Sequence, residues 1–302
     1  MKYNIILHIT TACNYNCSYC DVIKDGKSLS RDIYKELISF FKKNKSSIET
    51  LKFFGGEPLI AYKDIESICD EIDIWLNYQI VTNTTLLNES IGLYFQKFFK
   101  ILFFSIDTEH DFDYEKIDLF LKKYSLQEKI YFNLIISPGY EKESEIQFQK
   151  LYSMGYRGFN ILPVYFTKPW TNENLSQLSL VMKWILDISF RDPSVKLYGF
   201  QENQGYDISL VNHSLFIDID GSIYYSDMVS TFSGKYVREN LFLWHIRTFN
   251  MRTIKESQIF QCKKIISNLE KSLYSKMQWQ NQLHKLMDYF STYLNRLHDI
   301  SK

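Results

Sequence analysis

The sequence predicts an α/β protein built as a partial (βα)6 TIM-like barrel, with a small C-terminal β-hairpin and a helical extension. Three observations predict it. Short apolar runs alternate six times with helical patterns over the first two thirds of the chain, as in a parallel sheet wrapped by helices. The alternation breaks at Arg191-Asp192-Pro193, and Asp220-Gly221 between alternating apolar residues then marks a hairpin. The tail carries apolar residues at helical spacing.

Strands are expected at residues 3–9, 50–54, 79–82, 101–106, 130–136 and 158–164. Several are continuous apolar runs, as strands buried on both faces are. Helices are expected between them. Residues 31–43 place Ile33, Leu37, Ile38 and Phe41 on one face, with Ser30 as N-cap. Helical patterns at 64–75, 89–99, 114–124 and 144–154 follow, and Gly155 sits where a helix-ending glycine would. Residues 174–190 supply the sixth helix. Six units fall short of the eight that close a full barrel, so an open barrel is expected. The hairpin strands are 215–219 and 222–225. In the tail, Ile265, Leu269, Leu273 and Met277, then Leu283, Met287, Phe290, Leu294 and Leu297, mark helix between 254 and 297. The expected division is 1–192 for the barrel and 193–302 for the rest.

Composition narrows the function. The chain of 302 residues carries 35 Lys+Arg against 35 Asp+Glu. A formal net charge of zero argues against holding nucleic acid by bulk positive charge. No apolar stretch reaches the roughly 18 residues of a membrane span. The N-terminus turns polar too soon for a signal peptide. A cytoplasmic location is therefore expected, where clustered cysteines are metal ligands or catalysts rather than disulfides.

The cysteines are clustered. Cys13, Cys17 and Cys20 follow the first strand directly, while Cys69 and Cys262 stand alone. The C-terminal end of a barrel strand is where active-site loops converge. Three thiolates in one loop can converge on one metal centre, and thiolates select zinc or iron–sulfur clusters. A closed zinc site needs a fourth ligand, and none lies at an ordinary spacing. His8, inside the first strand, is read as a barrel-lining histidine. A 4Fe–4S cluster held by three cysteines leaves one iron open, as a substrate-binding cluster requires.

This loop resembles the radical S-adenosylmethionine (SAM) superfamily, whose hallmark is Cys-x3-Cys-x-aromatic-Cys. Tyr19 supplies the aromatic residue. The resemblance implies that Cys13, Cys17 and Cys20 ligate one 4Fe–4S cluster and that the open iron binds the amino and carboxylate groups of SAM. One electron then cleaves the S–C5′ bond, giving methionine and a 5′-deoxyadenosyl radical that abstracts hydrogen from the substrate. Gly55-Gly56-Glu57-Pro58 after the second strand adds a separate signal. Paired glycines let a backbone approach a ligand, Glu57 can accept from an ammonium, and Pro58 fixes the exit of the turn. In the family, this motif serves the methionyl amine.

Two later strand ends resemble the peptide-modifying branch, whose members often carry a SPASM domain. They are Thr82-Asn83-Thr84-Thr85-Leu86 and Ser105-Ile106-Asp107-Thr108, with Thr84 and Thr108 where the family has glycine. The resemblance makes Asn83 and Ser105 polar contacts, and puts Asn133, Asn160 and Leu162 on the adenosine side. Residues 216–228 look like the hairpin that opens a SPASM domain, but Ser226 stands near the place of its cysteine. Only Cys69 and Cys262 remain, so no auxiliary cluster is expected. The C-terminal part is read as a SPASM-like remnant that binds substrate and closes the barrel.

Cys69 is read as a buried thiol on a helix. Cys262 is a candidate hydrogen donor to a substrate radical, or a packed helix cysteine. Trp244, Trp279, Tyr289 and Phe290 form a peptide groove or core. The expected function is modification of a peptide, a ribosomal precursor, by epimerisation, thioether formation or a carbon–carbon crosslink. The rival readings are a small-metabolite substrate and a non-catalytic iron–sulfur or zinc module. The expected partners are a peptide and an electron donor such as flavodoxin or ferredoxin. The first strand begins near residue 3, so no N-terminal leader-peptide-binding domain is expected, and leader recognition would fall to the C-terminal part or to a separate protein. Neither nucleic acid nor membrane is expected as a partner.

Overall fold

The computed structural model describes residues 2–20, 22–72, 76–164, 168–198, 214–225 and 242–247, with 262, 264, 282, 283, 285–287, 289 and 290. Six strand–helix pairs follow one another: β1 (Tyr3–Thr10), α1 (Arg31–Asn44), β2 (Ile48–Gly55), α2 (Tyr62–Ile72), β3 (Asn77–Thr82), α3 (Glu89–Phe98), β4 (Phe99–Ile106), α4 (Tyr114–Lys123), β5 (Ile130–Ile136), α5 (Glu141–Ser153), β6 (Gly158–Pro163) and α6 (Asn172–Arg191). Four short strands follow: β7 (Lys196–Leu197), β8 (Ser214–Ile217), β9 (Ser222–Tyr224) and β10 (Phe242–His245). All lie in one sheet of order β10-β9-β8-β1-β2-β3-β4-β5-β6-β7. Strands β1 to β7 are parallel neighbours, so the expected partial barrel is the one observed.

Local chemistry accounts for the helix starts. The Ser30 hydroxyl accepts from Ile33 N, and Thr171 with Asn174 forms a reciprocal cap at α6. Helix α5 begins at Glu141, three residues before the expected 144, because Ser144 N already bonds the Tyr140 carbonyl. Strand alternation separates two faces. Phe53, Ile80, Phe104, Leu134 and Ile161 are fully buried in the core. Their neighbours Phe54, Val81, Ser105, Asn133 and Leu162 face a cavity inside the barrel.

Two features were not expected. Strand β7 has only two residues, too few for a periodic signal. The hairpin β8–β9 also does more than cap the chain. Strand β8 pairs in parallel with β1, from Asn4↔Ser214 to Leu7↔Ile217, and β10 then adds to β9. Of the expected tail helix, Cys262, Leu283, Met287 and Phe290 are helical and buried. Ser226, Trp279, the Trp244 side chain and most of 254–297 lie outside the described residues.

A buried polar pair locks the hairpin to the barrel. His8 Nδ1 lies 2.9 Å from Asp218 Oδ1 with both side chains buried, and the His8 ring packs against Phe54 and Phe216. His8 Nε2 has no partner among the described residues. Asp218→Ala is expected to cost about 1–3 kcal/mol, because it strands a buried imidazole. The double replacement His8→Phe/Asp218→Leu removes both polar groups and should cost less than the sum of the singles. Urea unfolding of the metal-free chain reads both, and strict additivity would exclude this coupling.

Candidate active site

The cysteine loop leaves β1 and is fixed on every side by hydrogen bonds. Thr11 N donates to the Lys27 carbonyl at 2.8 Å, and Lys27 N donates back to Thr11 Oγ1 at 2.8 Å. From β2, Gly56 N donates to the Thr10 carbonyl and Glu57 N to the Ala12 carbonyl, both at 2.8 Å. From the turn after β3, Asn83 Nδ2 donates to Asn14 Oδ1 at 2.8 Å, while Asn14 Nδ2 donates to Thr85 Oγ1 at 2.7 Å. Thr84 in that turn holds φ at +69°. A β-branched residue there stores about 1–2 kcal/mol that glycine would not.

The loop after β4 grips the other side. The Tyr19 hydroxyl donates to Asp107 Oδ2 at 2.5 Å, and Ser18 N donates to Glu109 Oε2 at 2.7 Å. Tyr15 stacks on His110 with ring centroids 3.8 Å apart and planes within 9°. Lys168 holds Glu109 at 2.9 Å. Burial alone would raise the Glu109 carboxyl, but Lys168 and Ser18 outweigh it and hold it at about 2.

A cavity of about 240 Å³ opens at these strand ends. It gathers Cys13, Cys17, Cys20, Tyr19, Gly55, Gly56, Glu57, Asn83, Ser105, Asn133 and Leu162, all expected site residues. Pro58 is buried just behind it, at the start of a short 3-10 turn. Asn160 stands one step back, donating to Asn133 Oδ1 at 2.9 Å, while Asn133 donates to Ser105 Oγ at 3.3 Å. Cys262 is buried in a helical segment and is not among the lining residues. Cys69 is fully buried on α2.

Two details of this motif go beyond the sequence reading. The Glu57 carboxylate also accepts hydrogen bonds from the protein itself. Glu57 is 1% exposed, and its Oε1 accepts from Leu59 N at 2.9 Å and from Thr82 Oγ1 at 2.8 Å. Its Oε2 accepts from Asn83 N at 2.7 Å. The paired glycines admit protein backbone as well as any ligand. A Cβ on Gly55 would lie 2.4 Å from the Thr10 carbonyl oxygen, and one on Gly56 would lie 2.2 Å from that of Ala12.

Asp107, Glu109 and His110 form a clamp that the sequence reading did not assign. Asp107 lies in the Ser105-Ile106-Asp107-Thr108 strand end noted above, while the only sequence signal for Glu109 and His110 is position, in the loop that follows β4. Cys17 Sγ, an Asp107 carboxylate oxygen and a His110 ring nitrogen lie within 4.8 Å of one another. His110 Nδ1 is 3.0 and 3.1 Å from the two Asp107 oxygens, so these two groups already satisfy each other. Burial pushes the Cys13 and Cys17 thiols up, and for Cys13 the Tyr15 N–H and Lys24 offset part of that. A metal that replaces the proton reverses this, because coordination deprotonates a thiol. Three partly exposed thiols on one cavity, with the nearby Asp and His paired to each other, fit a centre held by three cysteines with one open position.

A parallel barrel that gathers three thiols at the C-terminal ends of its strands is a βα-barrel with its candidate site at the end where such barrels carry their active sites. Residues 7–142 match the family model described as Radical SAM superfamily. It is 30% identical over 127 residues to the radical SAM cyclopropyl synthase TigE of Paramaledivibacter caminithermalis, covering 34% of this chain and 27% of that protein. It is 33% identical over 89 residues to the S-adenosylmethionine-dependent nucleotide dehydratase of Selenomonas ruminantium, covering 29% and 32% of the two chains. The chain thus spans about a quarter to a half of the length of the curated relatives it matches. Its fold resembles native anSMEcpe with bound AdoMet and Kp18Cys peptide, at a TM-score of 0.73 and 13% identity over 99% of both chains. It also resembles Streptococcus suis SuiB bound to precursor peptide SuiA, at a TM-score of 0.60 and 13% identity over 87% of this chain and 70% of the other.

Proposed function

We propose that the chain is a radical SAM enzyme that modifies a peptide through hydrogen-atom abstraction. One observation carries this reading: three thiols of one loop line the same cavity as the backbone of Gly55–Glu57 and the strand-end polar residues. Cys13, Cys17 and Cys20 would hold a 4Fe–4S cluster, which when bound supplies the electron that cleaves SAM. Tyr19, Gly55, Gly56, Asn83, Ser105, Asn133 and Leu162 would bind and orient SAM. Glu57 and Pro58 shape the turn that presents those groups, and Asn160 orients Asn133. The apolar wall that includes Phe54, Val81, Ile135 and Leu162 would keep water from a reactive radical. An external donor such as flavodoxin or ferredoxin would deliver the electron in the cytoplasm. Among the described residues no helix is long and apolar enough to cross a membrane.

The peptide reading is supported by the fold shared over 99% of the chain with a protein whose structure holds a bound peptide. The nucleotide dehydratase among the relatives favours a second reading, a small metabolite. Anaerobic reconstitution with iron and sulfide, then dithionite and SAM, should yield 5′-deoxyadenosine. Cys13→Ala/Cys17→Ala/Cys20→Ala protein should yield none. Equal yields from both would sink the proposal. A low-molecular-weight cell extract should stimulate the release. Protease treatment of that extract abolishes the stimulation if the substrate is a peptide and spares it if the substrate is a metabolite.

A further inference from the structure

Asp107 directly follows β4 beside the cysteine loop and is 8% exposed. Its carboxylate collects the Tyr19 hydroxyl at 2.5 Å, Glu109 N at 2.8 Å, His110 N at 2.9 Å and the His110 ring at 3.0 Å. The His110 ring is its hydrogen-bonded neighbour, and no lysine or arginine pairs with it among the described residues. One of its oxygens lies within 4.8 Å of Cys17 Sγ. Tyr19 stands two residues along the loop from Cys17, and its hydroxyl favours the thiolate form of Cys17. Tyr19 has one phenolic proton, and its hydroxyl is placed to donate it to Asp107 Oδ2 rather than to the Cys17 sulfur.

Both facts act on a metal centre with the same sign. A carboxylate near the centre disfavours an added electron. A hydrogen bond donated to a ligating sulfur favours it, and Asp107 draws that donor away. The Tyr15–His110 stack holds the arrangement rigid from the far side.

We propose that Asp107 is a positioning residue that sets the redox potential of the centre held by Cys13, Cys17 and Cys20, through its charge beside Cys17 and its claim on the Tyr19 proton. This rests on the cluster reading above. The lower potential makes the reduced centre a stronger reductant and demands a strongly reducing donor. His110 moderates the effect, because its ring N–H spreads part of the carboxylate charge.

The test is an anaerobic redox titration of the reconstituted full chain, followed by electron paramagnetic resonance without substrate. Dithionite supplies one electron per cluster, taking it from the 2+ to the 1+ state. Asp107→Asn should raise the midpoint potential, since it removes the charge and releases Tyr19 towards Cys17. Tyr19→Phe/Asp107→Asn should raise it less than Asp107→Asn alone, because no donor remains to turn. His110→Phe keeps the stack on Tyr15 but removes the donor to Asp107, and should lower the potential. Opposite shifts from two neighbours in one loop are not the signature of a loosened fold. An Asp107→Asn protein with an intact cluster and a native or lower potential overturns the proposal. If Asp107→Asn assembles no cluster, His110→Phe decides, and a native or higher potential overturns it. A native chain that assembles no cluster overturns the reading of the site itself, and this inference with it.

Discussion

Gly56→Ala is expected to strip the chain of bound iron while leaving most of its fold intact. The added methyl would sit 2.2 Å from the Ala12 carbonyl oxygen, 2.6 Å from its carbonyl carbon and 2.8 Å from the Thr11 carbonyl oxygen. These are backbone atoms and cannot swing aside as a side chain can. The same backbone accepts hydrogen bonds from Gly56 N and Glu57 N at 2.8 Å. Moving it away from β2 therefore loses both bonds and shifts Cys13, the next residue. Overpacking of this kind costs about 1–3 kcal/mol. A local penalty of about 2–3 kcal/mol lowers the population of the native loop roughly 30- to 150-fold. Gly139→Ala is the control. Gly139 has φ of +89° and open space around it, so alanine there costs about 1–2 kcal/mol of backbone strain without a clash against the cysteine loop. Iron analysis after reconstitution should find Gly139→Ala near the native content and Gly56→Ala close to none. Native iron content in Gly56→Ala would show that β2 does not position the loop.

The same glycine illustrates where sequence reasoning stops. The spacing of Cys13, Cys17 and Cys20 and the motif Gly55-Gly56-Glu57-Pro58 were legible because each is local. Each follows an apolar run short enough to be a strand, and β1 and β2 place both at one end of the barrel. The partner that the glycines admit was not legible, because Ala12 is distant in sequence and reaches Gly56 only through the parallel pairing of β1 with β2. Long-range geometry hid three other features in the same way. Asp218 meets His8 across 210 residues, and Asp107 meets Tyr19 across 88. Periodicity reports which face of an element is buried, not which element covers it. The Asp220-Gly221 turn was therefore readable as a hairpin, while its docking on the free edge of β1 was not. Strand β7 fails for a simpler reason: two residues carry no period.

Glu57→Ala should be among the most destabilising single replacements in the barrel, and Glu57→Gln should fall between it and the native chain. The buried carboxylate joins the exit of β2 to the exit of β3 by accepting from Leu59 N, Thr82 Oγ1 and Asn83 N. Hydrogen bonds to a charged group contribute about 1.5–3 kcal/mol each when intact, and a stranded buried donor costs about 1–3 kcal/mol. The three act as one network, so their sum overstates the effect, and a loss of about 3–5 kcal/mol is expected for alanine. Glutamine keeps one oxygen for Leu59 N and Thr82 but turns an amide N–H₂ towards Asn83 N. That donor–donor clash should cost about 1–3 kcal/mol. The clash falls on Asn83, whose side chain holds Asn14 in the cysteine loop, so both variants should also lose affinity for SAM. The pH dependence separates the charge from the shape. Burial pushes the Glu57 carboxyl above its usual value of 4.5, and the three donors offset only part of that. Its contribution to stability is therefore full below about pH 4.5 and falls as pH rises through the raised value. Glutamine does not titrate, so Glu57→Gln should flatten that part of the urea-unfolding profile. A native chain and a glutamine variant with parallel profiles would mean that Glu57 titrates alike in the folded and unfolded chains. Native stability and SAM affinity in Glu57→Ala would mean that β2 and β3 are joined at the site by packing alone.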